Sequence, residues 1–205
     1  FPFDMSLFGK NGTPINDKYS YAYSIWSGRE KFFIDLHKAL IELSIELPEV
    51  DFIIKPKDIM MEHKSWKFYK DIVDKSNLKS YDNYKIKPYV DVHDLIINSD
   101  VFCALQSSTA IEAAISGKPV ILPIFDEYRK TLHSNDLFWN RHLDLFDIAT
   151  SKEHLKEIIA KQLSSPFVAD EVKERRQNVF ELYFDDIKGN ALKKYTSIIQ
   201  KVVNQ

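Results

Sequence analysis

Four short apolar runs rich in β-branched residues punctuate the chain, at 51–55 (DFIIK), 84–87 (YKIK), 101–105 (VFCAL) and 119–124 (PVILPI). Between them lie stretches with helical spacing. Residues 28–46 place Phe32, Phe33, Leu36, Ala39, Leu40 and Leu43 on one side and stop at Pro48. Residues 59–76 offer Trp66, Tyr69, Ile72 and Val73 as core candidates, and shorter helices are expected at 91–98 and 108–116. Strand and helix alternating in this way argues for a parallel sheet covered by helices. Residues 1–3 read as one further strand, followed by a loop with Gly9, Gly12 and Pro14. After position 150 the pattern changes. Residues 152–163, 169–184 and 188–203 all read as helical, and 147–148 offers one short edge strand. The expectation is an α/β fold: a single domain over 1–205 with a Rossmann-like parallel sheet, helices on both faces and a helical C-terminal region from 150 to 205.

Composition removes several function classes. The formal charge of -2 over 205 residues offers no electrostatic footprint for nucleic acid. One cysteine, Cys103, excludes an internal disulfide framework, and its apolar surroundings suggest a buried small hydrophobe. No apolar run approaches the ~20 residues that span a bilayer. The opening FPFDMSLFGK reads as a strand entering a loop, so the chain is expected to be part of a longer protein.

Chemistry concentrates in QSSTAIEAAISGKPV, residues 106–120. Three hydroxyl residues, Ser107, Ser108 and Thr109, stand between an expected strand and an expected helix. In an open parallel sheet, ligands bind beyond the carboxyl ends of the strands. Ser107 or Ser108 can cap the helix, and backbone N–H groups at a helix start attract an anion. Ala110, Ala113 and Ala114 let the helix approach the sheet closely. Glu112, one turn in, can accept two hydrogen bonds from a ribose diol. The competing reading is a capping box of Thr109 or Ser108 with Glu112, which needs no ligand. A nucleophile elbow is disfavoured, because Leu105 and Thr109 stand where its glycines are required around Ser107.

The remaining constellations are weaker. The six histidines show no metal-ligand spacing, and Glu62-His63 lacks a partner one turn on. His93 reads as a surface residue at a helix start that can reach a ligand. Asp126 and Glu127 follow the strand at 119–124 and can either receive sugar hydroxyls or cap the next segment. The aromatic stretch NDLFWNRHLDLF at 135–146 reads as packing under the sheet or against another domain. DEVKERRQ at 170–177 is a solvated helix face.

The segment DVHDLIINSDVFCALQSSTAIEAAISGKPVILPI resembles the nucleotide-binding, C-terminal half of GT-B glycosyltransferases, especially enzymes of bacterial surface-polysaccharide (capsule and lipopolysaccharide) synthesis. The resemblance rests on Asp94, Ser99-Asp100, Ser107-Ser108-Thr109, Glu112-Ala113 and Gly117-Lys118-Pro119-Val120. LPEVDFIIKPKD is similar to an earlier strand and loop of that family, and YFDDIKGNALKKYTSII to a common ending of surface-carbohydrate proteins. What it implies is an enzyme that transfers a sugar from a nucleotide donor, CMP- or UDP-linked, to a saccharide acceptor, without a separate cofactor or metal. Ser107, Ser108 and Thr109 would hold donor phosphate and Glu112 the ribose. Pro88-Tyr89-Val90 corresponds to the loop that meets the base, with Tyr89 able to stack on it. Lys55 or Lys57 would neutralise phosphate. The loop around Lys10 and Asn11 would face the cleft, as would Asp126 and Glu127. Lys57 and Asp58 stand where many relatives carry the histidine and final proline of KPHP; in CMP-using relatives a histidine–proline pair joins the serine pair. The catalytic base of such enzymes comes from an N-terminal domain, so no residue here is assigned that role. The expected location is the cytoplasm or the periphery of the inner face of the cell membrane. A nucleotide-sugar 2-epimerase, a polyol-phosphate transferase and a non-catalytic assembly module remain the alternatives.

Overall fold

The computed structural model describes residues 32, 35–56, 82–104, 107–126, 139–184 and 187–203. The expected strand at 1–3, the loop at 9–14, the start of the first helix and the helix at 59–76 lie outside these residues, as do Lys10, Asn11, Lys57 and Glu127.

Helix α1 runs through residues 35–46. It buries Leu36, Ala39, Leu40 and Leu43, the side its apolar spacing marks out. Asn83 closes its end: the side-chain amide donates to Ser44 O at 2.7 Å, Leu47 O at 3.2 Å and Val50 O at 3.0 Å. Carbonyls left over at a helix C-terminus need such donors. Strand β1 (Phe52–Ile54) then pairs in parallel with β2 (Tyr84–Ile86), Phe52 opposite Tyr84. Helix α2 (Val92–Asn98) is capped by Asp91, whose carboxylate accepts from His93 N–H at 2.7 Å.

A second sheet holds β3 (Phe102–Cys103), β4 (Val120–Pro123) and β5 (Asp147–Ala149), in that order and all parallel. The crossover from β3 to β4 is α3 (Thr109–Ile115), with Ala110, Ile111, Ala113 and Ala114 all buried. β4 is buried at every position, as a strand covered on both sides must be. A 3₁₀ segment (Asn140–Leu145) leads into β5. Helix α4 (Lys152–Ser164) is capped by Ser151 and buries Leu155 and Ile159. Helix α5 (Asp170–Phe184) packs on α3, and α6 (Ala191–Val203) follows.

Phe52 of β1 and Ile96 of α2 share one hydrophobic cluster with α1, α3, β4, β5 and α4. The fold is therefore α/β with parallel strands in two small sheets over a common core. The edge strand expected at 147–148 forms as β5. Cys103 departs in part from expectation: the residue keeps exposed surface in the two-residue strand β3, while the chain around its thiol desolvates it and pushes its pKa up to about 12.

Candidate functional site

Three loops follow the carboxyl ends of β1, β2 and β3, and contacts join them. Lys55, directly after β1, donates to Pro88 O at 2.6 Å and Pro56 O at 3.2 Å. Its ammonium thereby ties the β1 end to the loop after β2. That loop, Pro88-Tyr89-Val90, holds Tyr89 with 77% of its surface exposed and Val90 half-buried. A tyrosine so exposed is not core packing, the ordinary alternative for an aromatic beside a proline.

At the start of α3 the hydroxyls arrange themselves locally. Ser107 Oγ lies 2.5 Å from Thr109 Oγ1 and accepts from Thr109 N–H at 3.2 Å. Ser108, at the N-cap position, has helical backbone angles (φ -61, ψ -29), and its side chain caps nothing. The residue is exposed. Ser107 O accepts from Trp139 Nε1 at 2.9 Å, which fixes the loop from beneath. Trp139 is 1% exposed and contacts Phe146 and Tyr183 edge-on or tilted, so among the described residues of the 135–146 stretch Trp139, Leu145 and Phe146 pack into the core, Trp139 beneath the Ser107 loop; residues 135–138 lie outside the described residues.

Glu112 does not turn back to close a capping box. Its Oε2 meets His93 Nε2 at 3.1 Å, and His93 Nδ1 lies 3.2 Å from Asp91 Oδ1. The chain Asp91–His93–Glu112 bridges the loop after β2 to the first turn of α3. Making both ring contacts as donors requires a protonated imidazole; a neutral ring can donate to only one of the two carboxylates. The Asp91 carboxyl is held below its ordinary value, chiefly by the His93 backbone N–H and less by that of Asp94 and by the imidazole. Glu112 is the less exposed carboxylate, with 26% of its side chain exposed against 62% for Asp91. This pairing escapes a reading of the sequence because the partners are nineteen positions apart and belong to different helices. The signal available was indirect: His93 follows the base-loop candidate within three residues.

The other candidates stand further off. Asp126 follows the carboxyl end of β4 and is exposed, its backbone N–H donating to Thr150 O at 2.9 Å. Gly117-Lys118 has a structural task. Gly117 takes φ +83 beyond the end of α3, and Lys118 donates to Ile97 O at 2.8 Å and Ser99 O at 2.6 Å, closing α2. No cluster of three or more His, Cys, Asp or Glu side chains with metal-binding geometry occurs among the described residues. Nor, among them, is any helix long and apolar enough to cross a membrane.

Comparison with protein-family models, curated proteins and solved structures returns no match for this chain.

Proposed function

We propose that the chain binds a nucleotide-activated sugar and forms the Rossmann-like donor half of a GT-B-type glycosyltransferase of surface-polysaccharide synthesis. The observation that carries this reading is the convergence of three loops at the carboxyl ends of parallel strands. Lys55 anchors Pro88-Tyr89-Val90, and His93 joins that loop to Glu112 at the start of α3.

In this reading the donor phosphate lies against Ser108 and the Ser107–Thr109 hydroxyl pair. The α3 helix is short, so hydroxyls and local N–H groups, more than a helix dipole, receive the charge. The ribose diol binds the Glu112 carboxylate, which His93 aims from the far side. The base lies along Pro88–Val90 with Tyr89 over it. Donor binding of this kind stabilises the nucleotide as it leaves, by directed hydrogen bonds where negative charge develops. The acceptor hydroxyl and its general base belong to a partner domain of the GT-B architecture, and no described residue takes that role.

A thermal-shift panel with CMP, UDP, CDP and GDP tests the reading. A selective rise in melting temperature with one nucleotide is the expected result, and it names the donor class. Glu112→Ala should lower calorimetric affinity for that nucleotide about tenfold, the worth of a charge-assisted hydrogen bond, while the variant melts as wild type does. Unchanged affinity in the folded variant would remove the ribose assignment. Silence toward all four nucleotides would favour a binding or assembly module.

A further inference from the structure

The last helix, α6, has every residue from Ala191 to Val203 exposed. Its sequence nevertheless separates into two faces. At 100° per residue, Ala191, Leu192, Tyr195, Ile198, Ile199, Val202 and Val203 fall within one arc. Thr196, Gln200, Lys193, Ser197, Lys201 and Lys194 fill the remainder, with no intruder on either side. The apolar residues are large and open to solvent: Leu192 is 77% exposed, Tyr195 67%, Ile199 61% and Val202 68%. Leaving such a stripe in water is unfavourable, and a contiguous apolar face of this kind marks an interaction surface.

Charge decides among the occupants. The helix carries Lys193, Lys194 and Lys201 and no acidic residue, and Lys188 precedes it. In a chain of formal charge -2 this is a local excess of cations. A second copy meeting this helix stripe to stripe would leave the lysines, which lie on the face away from the stripe, with no part in the contact. An anionic surface would meet them with opposite charge while accepting the apolar stripe. The acidic residues nearest in the chain, Glu181, Asp185 and Asp186, precede the helix and do not interrupt its faces.

We infer that α6 is an interfacial helix that lies on anionic lipid, with its Leu192–Tyr195–Ile199–Val202 stripe in the acyl boundary and its lysines at the headgroups. It lies on the bilayer and does not cross it. Binding of this kind combines buried apolar area with attraction to anionic headgroups, so both halves are testable. The contact does not depend on donor binding.

The experiment is co-sedimentation of the whole chain with vesicles of phosphatidylcholine alone and of phosphatidylcholine with 30% phosphatidylglycerol. Partitioning onto the mixed vesicles, weak partitioning onto the neutral ones, and release in high salt are expected. Replacing Lys193, Lys194 and Lys201 together with glutamine should lower partitioning about a hundredfold. Ile199→Glu should lower it at least about tenfold by placing a charge in the stripe. Both variants alter exposed positions, so an unchanged melting curve verifies the fold. Equal binding to both vesicle types would overturn the anionic assignment. Failure to bind either, or a dimer in light scattering that Ile199→Glu dissociates, would overturn the proposal.

Discussion

Arg176 places a guanidinium where only 2% of the residue is exposed. Burial pushes its pKa below the ordinary value, opposed by the nearby charge of Asp147. Such a group is tolerated because it is satisfied: Nε donates to Leu145 O at 2.8 Å, and Nη1 donates to Lys118 O at 2.9 Å and Ala114 O at 3.4 Å. One side chain of α5 thereby holds the end of α3, the turn after it and the end of the 3₁₀ segment. Arg176→Met leaves three inward carbonyls without that donor and should destabilise the fold by about 3 kcal/mol, read from urea midpoints. A change below about 0.5 kcal/mol, the usual effect of a surface substitution, would show that the clamp carries no stability. The charge run at 170–177 looked like a solvated face because its other five charged residues are exposed; Arg176 is the one that the packing of α5 on α3 turns inward.

Helices and strands were legible because each is set by local periodicity. The strands at 52–54, 84–86 and 120–123 and the helices from α2 to α6 fall within a few residues of the positions the apolar pattern marks. The GKP sequence shows a residue type demanded by an element boundary. Gly117 sits at φ +83, and a Cβ added there would touch nothing within 4 Å. Any cost of Gly117→Ala is therefore backbone strain alone, about 1 kcal/mol, with Gly117→Asn costing less. Denaturant titration of both variants checks this; equal losses of several kcal/mol would mean that the turn is packed tightly after all. The candidate site was legible only in part. Ser107–Thr109 and Glu112 could be placed at a strand-to-helix junction from spacing. The His93–Glu112 contact, the tie from Lys55 to Pro88 and the Trp139 bond to Ser107 O join residues 19 to 33 positions apart. Such contacts follow from how helices settle on the sheet, which no local pattern encodes.

The molecule as a whole has an electrostatic weakness in acid, and its source is in the core. His37 of α1 is 1% exposed, and burial pushes its pKa from the ordinary 6.5 down to about 3. A group whose pKa is depressed in the folded state takes its proton only on unfolding. Its contribution to stability is complete above pH 6.5 and is lost as pH falls toward about 3. The slope is about 1.4 kcal/mol per pH unit for one proton, so about 2 kcal/mol should disappear between pH 7.5 and 5.0. Four exposed carboxylates add to this at lower pH. Glu46, held down mainly by Lys156, and Asp170, held down by Lys173, join Asp91 and Glu153 in titrating below their ordinary values. Their contributions are present above the usual carboxylate range and are lost below it, so they steepen the acid limb without reaching the window above pH 5. His37→Leu removes the core proton site at nearly constant volume. Urea unfolding of both proteins at pH 7.5, 6.5, 5.5 and 5.0 separates the contributions, because the remaining histidines and carboxylates are common to the two. The wild type should lose stability across this window relative to the variant, and parallel curves would mean that His37 exchanges its proton in the folded state.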